Sequence, residues 1–187
     1  YTKASLHITT QIENLSKASI QNYTLEYSLY ANRLYSDENS LVPGVTAQVK
    51  LDMKLAAHAD TELEVTLVAQ DKVKLWSAEA PYRYTLVGEL KDAKGKTVQT
   101  FSSIVGFRKV EIKDTPADQD EFGLAGRYYY LNGKPIKLKG VNRHENNVNT
   151  GHTVSRQQME QEIFLMKRAN INHVRNSHYP DAPYWYY

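Results

Sequence analysis

Apolar and polar residues alternate with a period of two through most of the first 112 residues. Leu6, Ile8 and Ile12 sit between polar neighbours, and Tyr23, Leu25, Tyr27 and Leu29 are separated by Thr24, Glu26 and Ser28. Residues 45–51, 63–69 and 82–90 repeat the pattern. A strand points successive side chains to opposite faces, so the alternation predicts strands with one face on a core and one in water. Residues 36–39, Pro43-Gly44 and Lys94-Gly95 supply turns between them. Short strands, polar connections and no helical period predict an antiparallel β-sandwich.

The pattern then breaks. Residues 114–126 hold Pro116, three Asp and two Gly with little periodicity, which reads as a linker or long surface loop. Asn132-Gly133, between residues 128–131 and 134–139, supplies the two positive φ angles of a type I′ hairpin turn. Residues 136–141 read as a strand running into Asn142-Arg143-His144-Glu145. Ser155 opens a helix, with Gln158 as its capping-box partner. Met159, Ile163 and Met166 form an apolar stripe widened by Phe164 and Leu165, while Glu162 and Lys167 are polar. Asn170 is a helix stop, residues 171–174 a second strand, and Pro180, Asp181 and Pro183 open another helix. Strand, helix, strand with short loops predicts a βαβ unit with parallel strands. A lone βαβ unit leaves sheet edges and an apolar face uncovered, so an exposed apolar surface is expected over residues 136–187.

Parallel strands bring their C-terminal ends to one edge, the edge that carries ligands in α/β folds. Residues 142–145 and 175–178 therefore converge, with two imidazoles, two guanidinium groups, one carboxylate, two amides and a hydroxyl. Such a set suits a polyhydroxylated ligand, and it lacks the carboxylate pair that glycoside hydrolysis needs. Each residue also has a scaffolding alternative: Arg143 and Arg175 can pair with carboxylates, Glu145 can be an ion-pair partner, and His152 and His173 read as structural. A zinc site of His144, His178 and Glu145 is disfavoured by spacing.

Composition excludes more than it assigns. The 187 residues are 41% hydrophobic and 24% charged with a net charge of +2, which is ordinary for a globular chain. No basic stripe points to nucleic acid. No apolar run approaches a membrane span, so no membrane partner is expected and the chain reads as soluble; the sequence does not fix its compartment, cytoplasm and periplasm both being open. Cys is absent, which removes disulfides and thiol nucleophiles. The chain starts at Tyr1 rather than Met and stops a few residues into an element, so both ends read as cuts.

Four stretches together carry a resemblance: "LWSAEAPYRYTL" (75–86), "GFRKVEI" (106–112), "LNGKPIKLKGVNRHE" (131–145) and "VRNSHYP" (174–180). In that order and spacing they resemble glycoside hydrolase family 2, and "GVNRHE" with "PYWYY" is most similar to its large β-galactosidases. Asn146, Asn147 and Val148 depart from the His-His-Pro that follows in many bacterial members. The resemblance implies a multidomain fragment: an immunoglobulin-like antiparallel β-sandwich over 1–112, a linker and incoming strand over 113–130, and over 131–187 the first βαβ portion of a TIM (β/α)8 barrel.

It further implies a retaining, exo-acting hydrolase of terminal β-D-galactosides. Its two catalytic Glu lie beyond Tyr187, so the chain alone is expected to be inactive. His144 and His178 match transition-state-stabilising, sugar-contacting histidines. Asn142, Arg143 and Arg175 are implied to bind substrate. No cofactor is expected within the chain, the Mg²⁺ ligands of the full-length enzyme lying elsewhere, and that enzyme is implied to be a homo-oligomer acting on a β-galactoside or related carbohydrate. The alternatives are a β-glucuronidase or other member of the family, or a non-catalytic sandwich module that binds carbohydrate or a partner.

Overall fold

The computed structural model describes residues 3–34 and 36–187. The chain divides into two compact units, residues 1–110 with 131–133, and residues 111–130 with 134–187.

The first unit contains six whole strands: β1 (Ser5–Glu13), β2 (Tyr23–Asn32), β3 (Asn39–Leu51), β4 (Asp60–Val68), β5 (Tyr84–Lys91) and β6 (Thr97–Val105). β1 and β4 pair antiparallel as one sheet, and the other four form a second in the order β3-β2-β5-β6. Ile12 and Leu67 from the first sheet and Leu25, Tyr27, Leu29, Val45, Leu51 and Tyr84 from the second are buried in one core. The alternation seen in the sequence thus has its cause in a sandwich: the apolar phase of each strand is the phase removed from water.

Two details differ from expectation. Pro43-Gly44 does not end a strand. It forms a bulge inside β3, where pairing with β2 jumps from Ser28–Thr46 to Tyr30–Leu41 and Gly44 takes φ +67°. β6 carries no alternation, because eight of its nine residues are exposed. It is held by its ladder to β5 and by the Phe101 ring, which covers Gly88 so closely that a Cβ there would lie 2.3 Å from a ring carbon. The turn Asn132-Gly133 counts with this unit. Asn132 and Gly133 take φ +52° and +81° as the hairpin predicts. The Asn132 amide donates to the Trp76 carbonyl (2.9 Å), and its Oδ1 accepts the Lys109 N–H (2.9 Å).

The second unit begins with a three-stranded sheet of β7 (Val110–Thr115), β8 (Gly126–Leu131) and β9 (Lys134–Ile136). A 3-10 turn, Ala117–Gln119, lies in the loop between β7 and β8. The strand expected over 136–141 is two: β9 stays with the hairpin, and β10 (Gly140–Arg143) starts a new sheet. α1 (Arg156–Arg168) follows, then β11 (His173–Asn176) and α2 (Pro183–Tyr186). β10 and β11 are parallel, with Val141 beside Val174 and Arg143 beside Asn176.

α1 opens with both halves of the Ser155/Gln158 capping box. It closes with Asn170 at φ +56°, the Asn170 N–H bonded to Lys167 and the Ile171 N–H to Met166, a complete Schellman motif. Met159 is buried, whereas Phe164 and Leu165 are each 64% exposed, so the apolar stripe is narrower than the sequence suggests. Val148, Tyr186 and Tyr187 are exposed as well, and two parallel strands make no closed barrel. No helix among the described residues is long and apolar enough to cross a membrane.

Candidate functional site

The parallel pair places its polar residues by strand alternation. Val141 and Arg143 of β10, with Val174 and Asn176 of β11, share the face turned inward; Asn142 and Arg175, neighbours in the ladder, share the other and are exposed. His144 follows β10 directly, and His178 lies two residues after β11. Their rings meet edge to face with centroids 5.9 Å apart, as the βαβ reading requires. Tyr179 extends the group, 6.4 Å from His144 and 6.0 Å from His152.

Hydrogen-bond partners settle which ring nitrogens carry protons. Arg175 Nη2 lies 3.1 Å from His178 Nδ1. A guanidinium has no acceptor, so Nδ1 accepts and the proton of the neutral ring is on Nε2. His178 therefore presents an N–H donor. Arg175 Nη1 also donates to Ser177 Oγ (3.3 Å), which steadies the guanidinium. His152 is set the opposite way, because its Nδ1 donates to the Glu145 carbonyl (2.8 Å) and a carbonyl can only accept. The Glu145 carboxylate accepts the Ala182 N–H (2.9 Å), tying the end of β10 to the start of α2.

Arg143, expected among the sugar-binding residues, faces away from them. Adjacent strand positions point to opposite faces, so Asn142 and Arg143 cannot share one. Arg143 is only 5% exposed. Its Nε donates to Glu162 Oε2 (2.7 Å), and its Nη1 stands 2.9 Å from Asp181 Oδ1 as an ion pair without hydrogen-bond alignment. Its Cζ lies 3.7 Å above the Trp185 ring. Asp181 Oδ2 accepts from the Asn176 amide (2.6 Å), and the Tyr186 hydroxyl accepts both that amide (3.0 Å) and the Asp181 N–H (2.9 Å). At the far side of α2, Tyr184 donates to Glu160, which raises the Tyr184 pKa above the usual phenol value.

Sequence reasoning missed Glu162, Asp181, Tyr186 and Trp185 as partners of the site, and it grouped Asn176 with the converging residues although that side chain turns inward. One signal was present: Glu162 follows Met159 by three and precedes Met166 by four, so it lies on the buried face of α1, where a carboxylate calls for a cation.

Chemically, the open face offers donors from Asn142, Arg175 and His178, with His144 beside them. Its single carboxylate, Glu145, is already bonded to a backbone amide. Such a face can hold and polarise hydroxyls, but it holds no second carboxylate for acid–nucleophile chemistry. Among the described residues no three His, Asp or Glu side chains gather to hold a metal ion.

The chain matches two family models, "Glycosyl hydrolases family 2" over residues 2–108 and "Glycosyl hydrolases family 2, TIM barrel domain" over residues 123–187. A β-galactosidase of Vibrio cholerae is 41% identical over 141 residues, covering 75% of this chain and 12% of that protein. One of Priestia megaterium is 37% identical over 190 residues, covering 100% of this chain and 16% of that protein. The chain thus spans a minor part of these relatives. In fold, the crystal structure of Bacteroides uniformis β-glucuronidase superposes with a TM-score of 0.78 at 22% identity, over 98% of this chain and 20% of that one. With both segments matched in order, and the polar strand ends lying in the segment matched to the barrel, the chain belongs to glycoside hydrolase family 2: a sandwich domain followed by the start of the TIM-barrel domain.

Proposed function

We propose that the chain is part of a retaining, exo-acting β-galactosidase, in which β10 and β11 supply one wall of the sugar site. The observation that carries the reading is the meeting of His144 and His178 at neighbouring strand ends, 5.9 Å apart, with a donor fixed on His178 by Arg175. The curated relatives named above are β-galactosidases, which favours galactosides over other glycosides. We assign the sandwich to the immunoglobulin-like type, which its Greek-key-like strand order supports.

Retaining hydrolysis needs one carboxylic acid to protonate the glycosidic oxygen and one carboxylate to attack the anomeric carbon. In this reading both come from parts of the enzyme outside these residues. The residues here bind and orient. Asn142 and Arg175 hold hydroxyls from the open face. His178 donates Nε2–H to a hydroxyl whose position shifts as the ring flattens toward the oxocarbenium ion, and His144 bounds the same ring. A bond that tightens in the transition state lowers the barrier rather than merely improving binding.

The experiment is hydrolysis of p-nitrophenyl β-galactoside, with the β-glucuronide in parallel, by the full-length enzyme and by the 187-residue chain. Turnover of the galactoside by the full-length enzyme and none by the chain is expected. Preference for the glucuronide would overturn the substrate assignment, and turnover by the chain would overturn the division of labour.

A further inference from the structure

Arg143 is a charged side chain buried beside a sugar site it does not face. Three charged groups, Arg143, Glu162 and Asp181, would be kept there at some cost in desolvation if they only filled space, since a buried ion pair is often no more stabilising than an apolar cluster. Their connections suggest what the arrangement does. The Arg143 carbonyl accepts the Ser177 N–H at 2.7 Å, so its backbone holds the residue before His178. Its guanidinium faces Asp181 at 2.9 Å, and Asp181 in turn holds Asn176 at 2.6 Å. The Tyr186 hydroxyl closes the loop on both. Residues 176–181, which carry His178 and Tyr179, are therefore anchored at both ends to Arg143 or its ion-pair partner. His144 is the next residue along the chain from Arg143, and Glu162 anchors the same guanidinium to α1 at 2.7 Å.

We infer that Arg143 and Asp181 are positioning residues that set the separation and orientation of His144 and His178, an inference that rests on the glycosidase reading of those two histidines. The guanidinium suits the task because Nε donates to Glu162 while Nη1 stands against Asp181 as an ion pair and the planar face packs on Trp185 at 3.7 Å. A lysine keeps the charge but is a single point on a flexible stem, so it cannot fix Glu162 and Asp181 together.

The test uses the full-length enzyme and p-nitrophenyl β-galactoside, with Arg143→Lys and Asp181→Asn as the variants and His178→Phe as the reference. Both substitutions conserve size and leave the open face untouched. Displacing a binding group by about 1 Å can cost about 100-fold, so kcat is expected to fall about 10- to 100-fold with KM changed far less, measured at temperatures where circular dichroism shows each variant folded. A residue that merely supports the fold would lower Tm and leave kcat of the folded enzyme intact. Unchanged kcat in either folded variant, a loss carried by KM alone, or failure of both variants to fold overturns the inference. His178→Phe separates the two levels. If it retains full kcat, the reading of the histidines fails. If it loses kcat while Arg143→Lys does not, only the positioning role fails.

Discussion

His178→Phe removes one donor at the open face and little else. Phenylalanine is close in size to histidine, and His178 is exposed, so no cavity opens in the core. Within the protein the substitution breaks the 3.1 Å hydrogen bond from Arg175, whose guanidinium then turns to water. Between exposed groups that bond contributes at most about 1 kcal/mol. The expected fall in Tm is thus at most about 3 °C. The effect on the reaction is of another size. Deleting one preorganised donor aimed at developing charge costs about 2–4 kcal/mol of transition-state stabilisation. At 1.36 kcal/mol per decade that is a fall of about 30- to 900-fold in kcat. The assay is steady-state hydrolysis of p-nitrophenyl β-galactoside with a melting curve on the same preparation. An unstable variant with intact kcat would make His178 a packing residue and refute the argument.

Arg175 supplies a second arm of the same experiment. If, besides holding hydroxyls, it keeps the proton of His178 on Nε2, part of the effect of its loss disappears when the imidazole is gone. Arg175→Met and His178→Phe are then expected to be non-additive, with the two single losses together exceeding that of the double variant by about 1 kcal/mol or more. Additive losses would mean that Arg175 acts on the sugar alone and not through His178, and the tautomer argument would fall.

Two predictions concern stability and can be read by urea denaturation of the 187-residue chain. Asn132→Gly retains the positive φ of the turn and loses the side-chain bonds to Trp76 and Lys109, so a loss of about 1–2 kcal/mol is expected; an unchanged midpoint would mean those bonds contribute nothing net. Asn170 takes φ +56° in the Schellman motif, so Asn170→Ala is expected to cost about 1 kcal/mol while Asn170→Gly is neutral or mildly stabilising, and the reverse order would refute the capping argument.

The sequence reveals elements well where a local rule decides them. The Ser155/Gln158 box, the Asn132-Gly133 turn and the Asn170 stop are short-range chemistry, and each lies where the local pattern puts it. Alternation finds β1, β2 and β4 because a buried sheet face requires it. β6 escapes the same rule because its faces are both largely solvated, so only the partner strand makes it a strand. The run from Ile136 to Val141 reads as one strand because nothing local marks the point where β9 leaves the hairpin sheet and β10 joins β11. β11 begins at His173 rather than at Ile171 because Ile171 is held in the Schellman closure of α1.

The site divides along the same line. Convergence of residues 142–145 with 175–178 follows from parallel strands alone and needs no side-chain detail. Which side each residue serves depends on register, and register is fixed by what the strands pack against. In "NRHE", Asn142 opens to the exposed face, Arg143 turns to α1 and Asp181, His144 meets His178, and Glu145 holds Ala182. Open-face and supporting positions thus alternate residue by residue within one tetrapeptide. A shift of register by one residue would turn Asn142 toward Glu162 and Asp181 and put Arg143 in water, leaving both carboxylates without a countercharge. The ion pair therefore acts against misregistered pairing of β10 and β11 as well as serving the positioning role inferred above. That gives a physical reason for a buried arginine to stand behind the donor-rich open face.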